Sequence, residues 1–380
     1  MTHLSSFPAL RRRGDGAGAV KGGARALAPP TSAASLKTAA ALGRALSIGA
    51  LGGGAAYGLG VPLPFMLGSL FAVMAASLLG ARVAVPNRLR AAFLVLLGLF
   101  LGEAFSAPGA APSAEMALTL SLAALYAPLG AWIGYAVYTR CARIEPRTAL
   151  FCAIPGGLSA VILTAEAVGA DERRVALAQS LRIALVVMAA PALVFGVMGG
   201  AAPSLAPAPP PLVNGVELAW LLGGAALGAL ALRALGAPLP ALMGPLLASA
   251  ALRLAGVVEG ALPFWLVETA LVVTGASIGA RFAGADLSQL KALTRWTVAS
   301  TALLTALSVL LALGVAAATE ASFLAALLAF APGGVVEMCL IALALDADPA
   351  FVAAHHMARI GVILLSAPLL AHRLRARRGA

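Results

Sequence analysis

Charge is scarce in this sequence. Only 11% of its 380 residues are Asp, Glu, Lys or Arg, against about 25% in an ordinary soluble domain. That shortfall excludes a conventional water-covered surface, and 61% hydrophobic residues point to lipid as the solvent. A soluble helical bundle with a very apolar core is the alternative, and hydropathy disfavours it. Cysteine is nearly absent. Cys141, Cys152 and Cys339 offer no metal spacing and no even disulfide set, and the latter two, inside apolar segments, read as small packing residues. The four histidines, two of them in the terminal tails, form no metal cluster. No nucleophile constellation stands out, so no enzyme is expected, and no cofactor. The first 37 residues lack a long apolar run, which excludes a secretory signal peptide there.

What is present is a series of long apolar runs, among them Ala45 to Leu59, Ala91 to Phe105, Leu118 to Val137 and Val175 to Met198. A bilayer span needs roughly 20 mostly apolar residues. The chain therefore reads as an all-α polytopic membrane protein. Its formal net charge of +11 would suggest nucleic acid on a soluble protein. Here the basic residues lie between and beyond the apolar runs, as topology signals do. Membrane lipid is the expected partner and direct nucleic-acid binding is not, while homo-oligomerisation stays open.

The chain is organised around two copies of one pattern. Pro155-Gly156-Gly157 is followed by Asp171, Val175, Arg182 and Pro191, and Pro332-Gly333-Gly334 by Asp348, Val352, Arg359 and Pro368. Each residue of the second set lies 177 positions after its counterpart in the first. Seven positions in one register define an internal repeat. Pro62-Leu63-Pro64 with Gly68 and Pro238-Leu239-Pro240 with Gly244 repeat at an offset of 176, and Gly98 and Gly102 match Gly275 and Gly279. Proline at a first helical turn costs no hydrogen bond, so each Pro-Leu-Pro is expected to start a span. In the first span, Gly49, Gly53, Gly54 and Gly58 permit close helix contact. The expected organisation is a disordered basic arm at 1–37, repeat 1 at 38–199, a Pro-rich linker at 200–214, repeat 2 at 215–371 and a basic tail at 372–380.

Each half holds six apolar segments. Six true spans would make the halves parallel. The apolar arms flanking each Pro-Gly-Gly are each about half a span long, which suits a re-entrant hairpin. With five spans plus one hairpin per half, the repeats become inverted. With both termini cytoplasmic, every basic residue outside the spans except Arg253 then falls inside. The inverted arrangement in a cell inner (plasma) membrane is therefore preferred, and it is the design of many secondary transporters.

Candidate site residues follow from the breaks. Pro155, Gly156, Gly157 and Pro332, Gly333, Gly334 would free backbone groups that only a cavity tolerates, and each restarting helix would aim a partial positive charge at it. Arg182 and Arg359 sit within the next spans, where an arginine costs at least about 2.5 kcal/mol. They would bind a small anionic solute such as a carboxylate, or else cap the carbonyls of their own broken segments or snorkel to the interface. Glu337 has Ala160 as its first-half equivalent. It would pair with an arginine, hold a cation or a proton, or simply sit on its helix dipole. His356 aligns with Gln179 and reads as a proton relay or a hydrogen-bonded packing residue.

The paired Pro-Leu-Pro-x-x-x-Gly and the paired Pro-Gly-Gly with downstream Asp, Val and Arg resemble the AbrB-type membrane duplication family, also labelled ammonia monooxygenase. The second copy, Ala331-Pro332-Gly333-Gly334 with Glu337 and Met338, has the fuller form. The resemblance spans about 40 to 371. It implies an integral membrane protein associated with regulation of gene expression, whereas no visible ligand set supports the monooxygenase label. The expected function is a secondary transporter or exporter of a small organic anion, with indirect effects on gene expression. The alternative is a membrane-bound regulator acting through a protein partner.

Overall fold

The computed structural model describes residues 32–61, 63–103, 114–154, 165, 168–198, 211–237, 239–285, 287–345 and 347–376. Pro155, Gly156, Gly157, Glu166, the first 31 residues and most of the linker lie outside the described residues. The described elements are helical: α1 Ser32–Gly58, α2 Pro64–Leu78, α3 Asn87–Gly102, α4 Ala114–Ala136, α5 Pro146–Ala153, α6 Glu172–Met198, α7 Gly215–Ala234, α8 Pro240–Leu254, α9 Phe264–Gly279, α10 Leu287–Ala318, α11 Phe323–Phe330, α12 Val335–Ala344 and α13 Pro349–Ala376. No strand occurs among them, only a lone parallel bridge between Leu212 and Ala261. The first helix begins at Ser32, ahead of the apolar run near residue 40, so it takes in the end of the segment read as an arm. Among the described residues three helical stretches are long and apolar enough to cross a membrane: Ala114–Cys141, Gly215–Ala234 and Ser288–Ala318. Trp132, Trp220 and Leu310 project from them into the surroundings, as lipid-facing side chains do.

The local chemistry of the two halves coincides. Leu63 and Leu239 precede α2 and α8 in the left-handed region, at φ 49° and 47°. Pro64 and Pro240 follow at N1, where a missing N–H is no loss. Each Pro-Leu-Pro thus starts a helix. The turn before it passes through Gly60 and Gly236, at φ 66° and 68°, a conformation glycine adopts without steric cost.

Among the described residues the helices form two bundles. In the first, α1 lies on α2, α7 on α8, α2 on α9 and α3 on α8, with α3 and α9 also touching. Thus α2 and α3 from the first half pair crosswise with α9 and α8 from the second. Glycines let these backbones approach: Gly98 and Gly102 of α3 face Leu242, Pro245 and Ser249 of α8, while Gly275 and Gly279 of α9 face Met66, Ser69 and Leu70 of α2. Serines stitch both crossings, Ser249 Oγ donating to Leu99 O at 2.9 Å and Ser69 Oγ to Val272 O at 3.1 Å. At the ends of α3 and α8, Arg253 bonds Glu103 at 2.9 Å.

The second bundle contains α4, α5, α6 and α10 to α13. The short helices α5, α11 and α12 sit inside it, and every residue of α11 from Leu324 to Phe330 is buried. The bundles meet along a seam where α12 and α13 reach α3, and α6 reaches α2 and the 3-10 turn Ala280–Phe282. Cys152 and Cys339 are free and buried within the second bundle.

Candidate functional site: a charged cavity at a helix break

Helix α11 stops at Phe330 and α12 starts at Val335, with Ala331 to Gly334 between them. The last carbonyls of α11 have no partners within their own helix. Three side chains supply them. Arg359 Nη1 donates to Ala329 O at 3.2 Å and Ala331 O at 2.8 Å. The His356 ring Nε2, one turn earlier on α13, lies 3.0 Å from Leu328 O, and to a carbonyl a ring nitrogen can only donate. Ser308 Oγ of α10 donates to Phe330 O at 2.8 Å. The end of α5 is treated the same way. Arg182 Nη1 and Nη2 donate to Ala153 O at 3.2 Å and Ile154 O at 3.4 Å, and Gln179 Nε2 donates to Phe151 O and Ile154 O. Gln179 Oε1 in turn accepts from Arg182 Nη2. Both arginines thus sit where a helix presents free carbonyls and the negative end of its dipole. Both are buried, and in each the Nε has no partner.

Arg359 has a second face. Its Cζ lies 5.0 Å from the centre of the Tyr126 ring, and Tyr126 OH lies 3.3 Å from Ser308 Oγ. Arg359 also lines a cavity of about 70 Å³ beside the break. Gly333, Gly334, Glu337, His356 and Leu239 share this wall, and Arg90 of α3 closes it from the first bundle. Leu239 is thus a strained, left-handed residue at the cavity edge, a conformation that clusters at functional sites. Glu337 is buried in the first turn of α12. Its carboxylate folds back over Gly334, where any Cβ would collide with Oε2. Arg90 and Arg281, from α3 and the turn after α9, stand close enough to act on Glu337 electrostatically.

The structure therefore brings Gly333, Gly334, Glu337, His356 and Arg359 to one cavity, with Pro332 buried in the break beside them. Arg182 is near Arg359 and Tyr126 but lines none of the described cavities. His355 turns away, its Nδ1 2.7 Å from Phe351 O and its ring against Phe330 and Phe351. Among the described residues no three His, Cys, Asp or Glu side chains gather as metal ligands would. Sequence reasoning missed Arg90, Arg281 and Tyr126. Arg90 and Arg281 were visible only as topology charges, and their register partners are Val267 and Ala104, so comparing the two halves does not expose them.

The family model described as "Transition state regulatory protein AbrB" matches residues 65–375. The chain belongs to this family. A relative in Escherichia coli (strain K12), named "Putative regulator AbrB", is 28% identical over 321 residues, 82% of this chain and 90% of its own length. YhjN of Bacillus subtilis (strain 168) is 29% identical over 253 residues, 62% of this chain. The chain spans 65% of the length of YhjN. No solved structure matches the chain significantly. The AbrB match takes in both bundles apart from α1 and the first residue of α2, and every described residue of the cavity.

Proposed function

We propose that this AbrB-family chain is a secondary transporter that moves a small organic anion across a cell inner (plasma) membrane, and that any effect on gene expression follows from the changed solute level. The observation that carries the reading is the cavity at the seam. Cationic side chains reach it from both bundles, Arg90 from one and Arg359 from the other, beside a helix N-terminus. A site shared between two bundles changes shape when they move, which is what alternating access requires. The inverted arrangement of five spans and one re-entrant hairpin per half fits the crosswise pairing of α2 with α9 and α3 with α8, since two halves exchanging equivalent helices are related by a two-fold rotation. The short helices α11 and α12 would be the two arms of the second hairpin. Both termini would be cytoplasmic, and Arg90 and Arg281 would stand at the cytoplasmic ends of α3 and α9. No catalytic step is assigned to the cavity.

Purified protein in liposomes should take up a small carboxylate down an imposed gradient, and Arg90→Gln should lose most of that flux. Absence of gradient-driven flux for every small anion tried would reject the transporter reading. The printed name of the Escherichia coli relative favours a second reading, a membrane-bound regulator that acts through a protein partner. It wins if expression phenotypes persist in a folded variant without flux.

A further inference from the structure

The cavity carries more positive charge than its own carboxylate balances. Arg90, Arg281 and Arg359 are guanidiniums and remain charged, and Glu337 is the acid that faces them. His356 of α13 and Cys339 of α12 are the other titratable groups close to it. No ion pair joins Glu337 to Arg90 or Arg281 among the described residues. Arg90 Nε, Arg281 Nη1 and Arg359 Nε are instead buried without partners. A buried donor left unpaired is costly, and more so when it is charged. Arg90 and Arg359 line the cavity and Arg281 acts electrostatically on its Glu337, so the site is short of acceptors. The one strong acceptor, the Glu337 carboxylate, lies over Gly334 at the N-terminus of the ten-residue α12, the position an incoming anion would take.

Resting on the anion-transport reading, we propose that Glu337 is a tethered stand-in for the substrate: an anion binds by displacing its carboxylate from the start of α12 and is then held between Arg90 and Arg281 on one bundle and Arg359 on the other. The displaced carboxylate moves toward Arg90 and Arg281, which ties occupancy to contact between the bundles. The cavity measures about 70 Å³, room for a short monocarboxylate or oxyanion with about four non-hydrogen atoms, and a sugar acid is the larger anion to compare with it.

The test is radiolabelled acetate binding to detergent-purified full-length protein, with sodium gluconate holding sodium and ionic strength constant. Wild type should bind acetate and gluconate should not compete. Glu337→Gln should bind at least about tenfold tighter, because it removes a like charge from the site, a juxtaposition that costs several kcal/mol. Arg90→Gln should bind at least about tenfold more weakly. A cation-holding or proton-coupling Glu337 gives the opposite sign, since Glu337→Gln would then weaken or abolish binding. Weakened or unchanged binding in Glu337→Gln, with Arg90→Gln impaired, overturns the stand-in and leaves the anion site. No binding by wild type of acetate, nitrate or bicarbonate overturns the site itself. Gluconate competition overturns the size class. Glu337→Ala is read alongside Glu337→Gln. If neither variant elutes as folded protein, the carboxylate is a structural cap and the proposal fails.

Discussion

Arg359 both caps a helix and lines the cavity: its Nη1 closes the carbonyl end of α11, and the residue stands in the cavity wall. Arg182 does only the first of these among the described residues. Replacing Arg359 by leucine leaves Ala329 O and Ala331 O short of a donor, and replacing Arg182 leaves Ala153 O and Gln179 Oε1 short, since Gln179 still serves Ile154 O; each loss costs about 1–3 kcal/mol. Both variants should therefore unfold at lower temperature in detergent. Among the described residues Arg90 makes no such bond, and its buried Nε has no partner there. Arg90→Leu should keep the wild-type unfolding temperature while losing acetate binding. A drop as large as that of Arg182→Leu would make Arg90 a structural residue. The sequence made the two mid-span arginines conspicuous, because an arginine in a long apolar run needs a reason. It left open whether they bind a solute or cap their own segments, and the described bonds are caps. The place of Arg90 in the cavity wall was not legible, because a cation in the first turn of an apolar helix looks like an orientation signal.

At the scale of elements, close approach through glycine organises the first bundle. Gly98 and Gly275 occupy equivalent crossings, one against α8 and one against α2, where a Cβ would run into neighbouring backbone or the Ser69 hydroxyl. Gly98→Val or Gly275→Val should each lower stability by about 1–3 kcal/mol, the usual cost of overpacking. Gly54→Val should change it far less, because nothing lies within 4 Å of a Cβ there. Unfolding of the three variants side by side checks this, and equal losses would mean the crossings are not specific. The glycines of α1 show the limit of pattern reading. Gly49, Gly53, Gly54 and Gly58 stand out by spacing, yet the tightest contact is Gly52 against Gly68 of α2, while Gly54 and Gly58 face open space. Spacing marks a helix face that can approach a neighbour, but the partner's position selects the residue. The Pro-Leu-Pro helix starts were more legible, since proline fixes its own backbone at N1 whatever lies around it.

For the whole molecule, an all-helical chain in a lipid solvent follows from composition, because so few charges cannot cover a surface in water. The division into two bundles does not follow, since no apolar run announces which other run it will meet. Inversion was argued from charge; the crosswise helix pairing implies a two-fold relation between the halves, which parallel halves would share. The two arrangements differ most at two exposed positions. If the Pro-Gly-Gly segments return to the side they entered, Glu259 between α8 and α9 lies outside and Ser288 at the start of α10 lies inside. If all twelve segments cross, the two positions exchange sides. We expect Glu259→Cys, in a background where Cys141, Cys152 and Cys339 are replaced by serine or alanine, to react with an impermeant maleimide added to intact cells. Ser288→Cys should react only after the membrane is opened. Labelling of position 288 from outside, with 259 protected, would restore the parallel twelve-span chain. It would also place Arg281, in the turn after α9 and shortly before Ser288, at the outer face. Arg90 would stay at the inner one, and the cavity at the seam could not then open to a single side through both arginines.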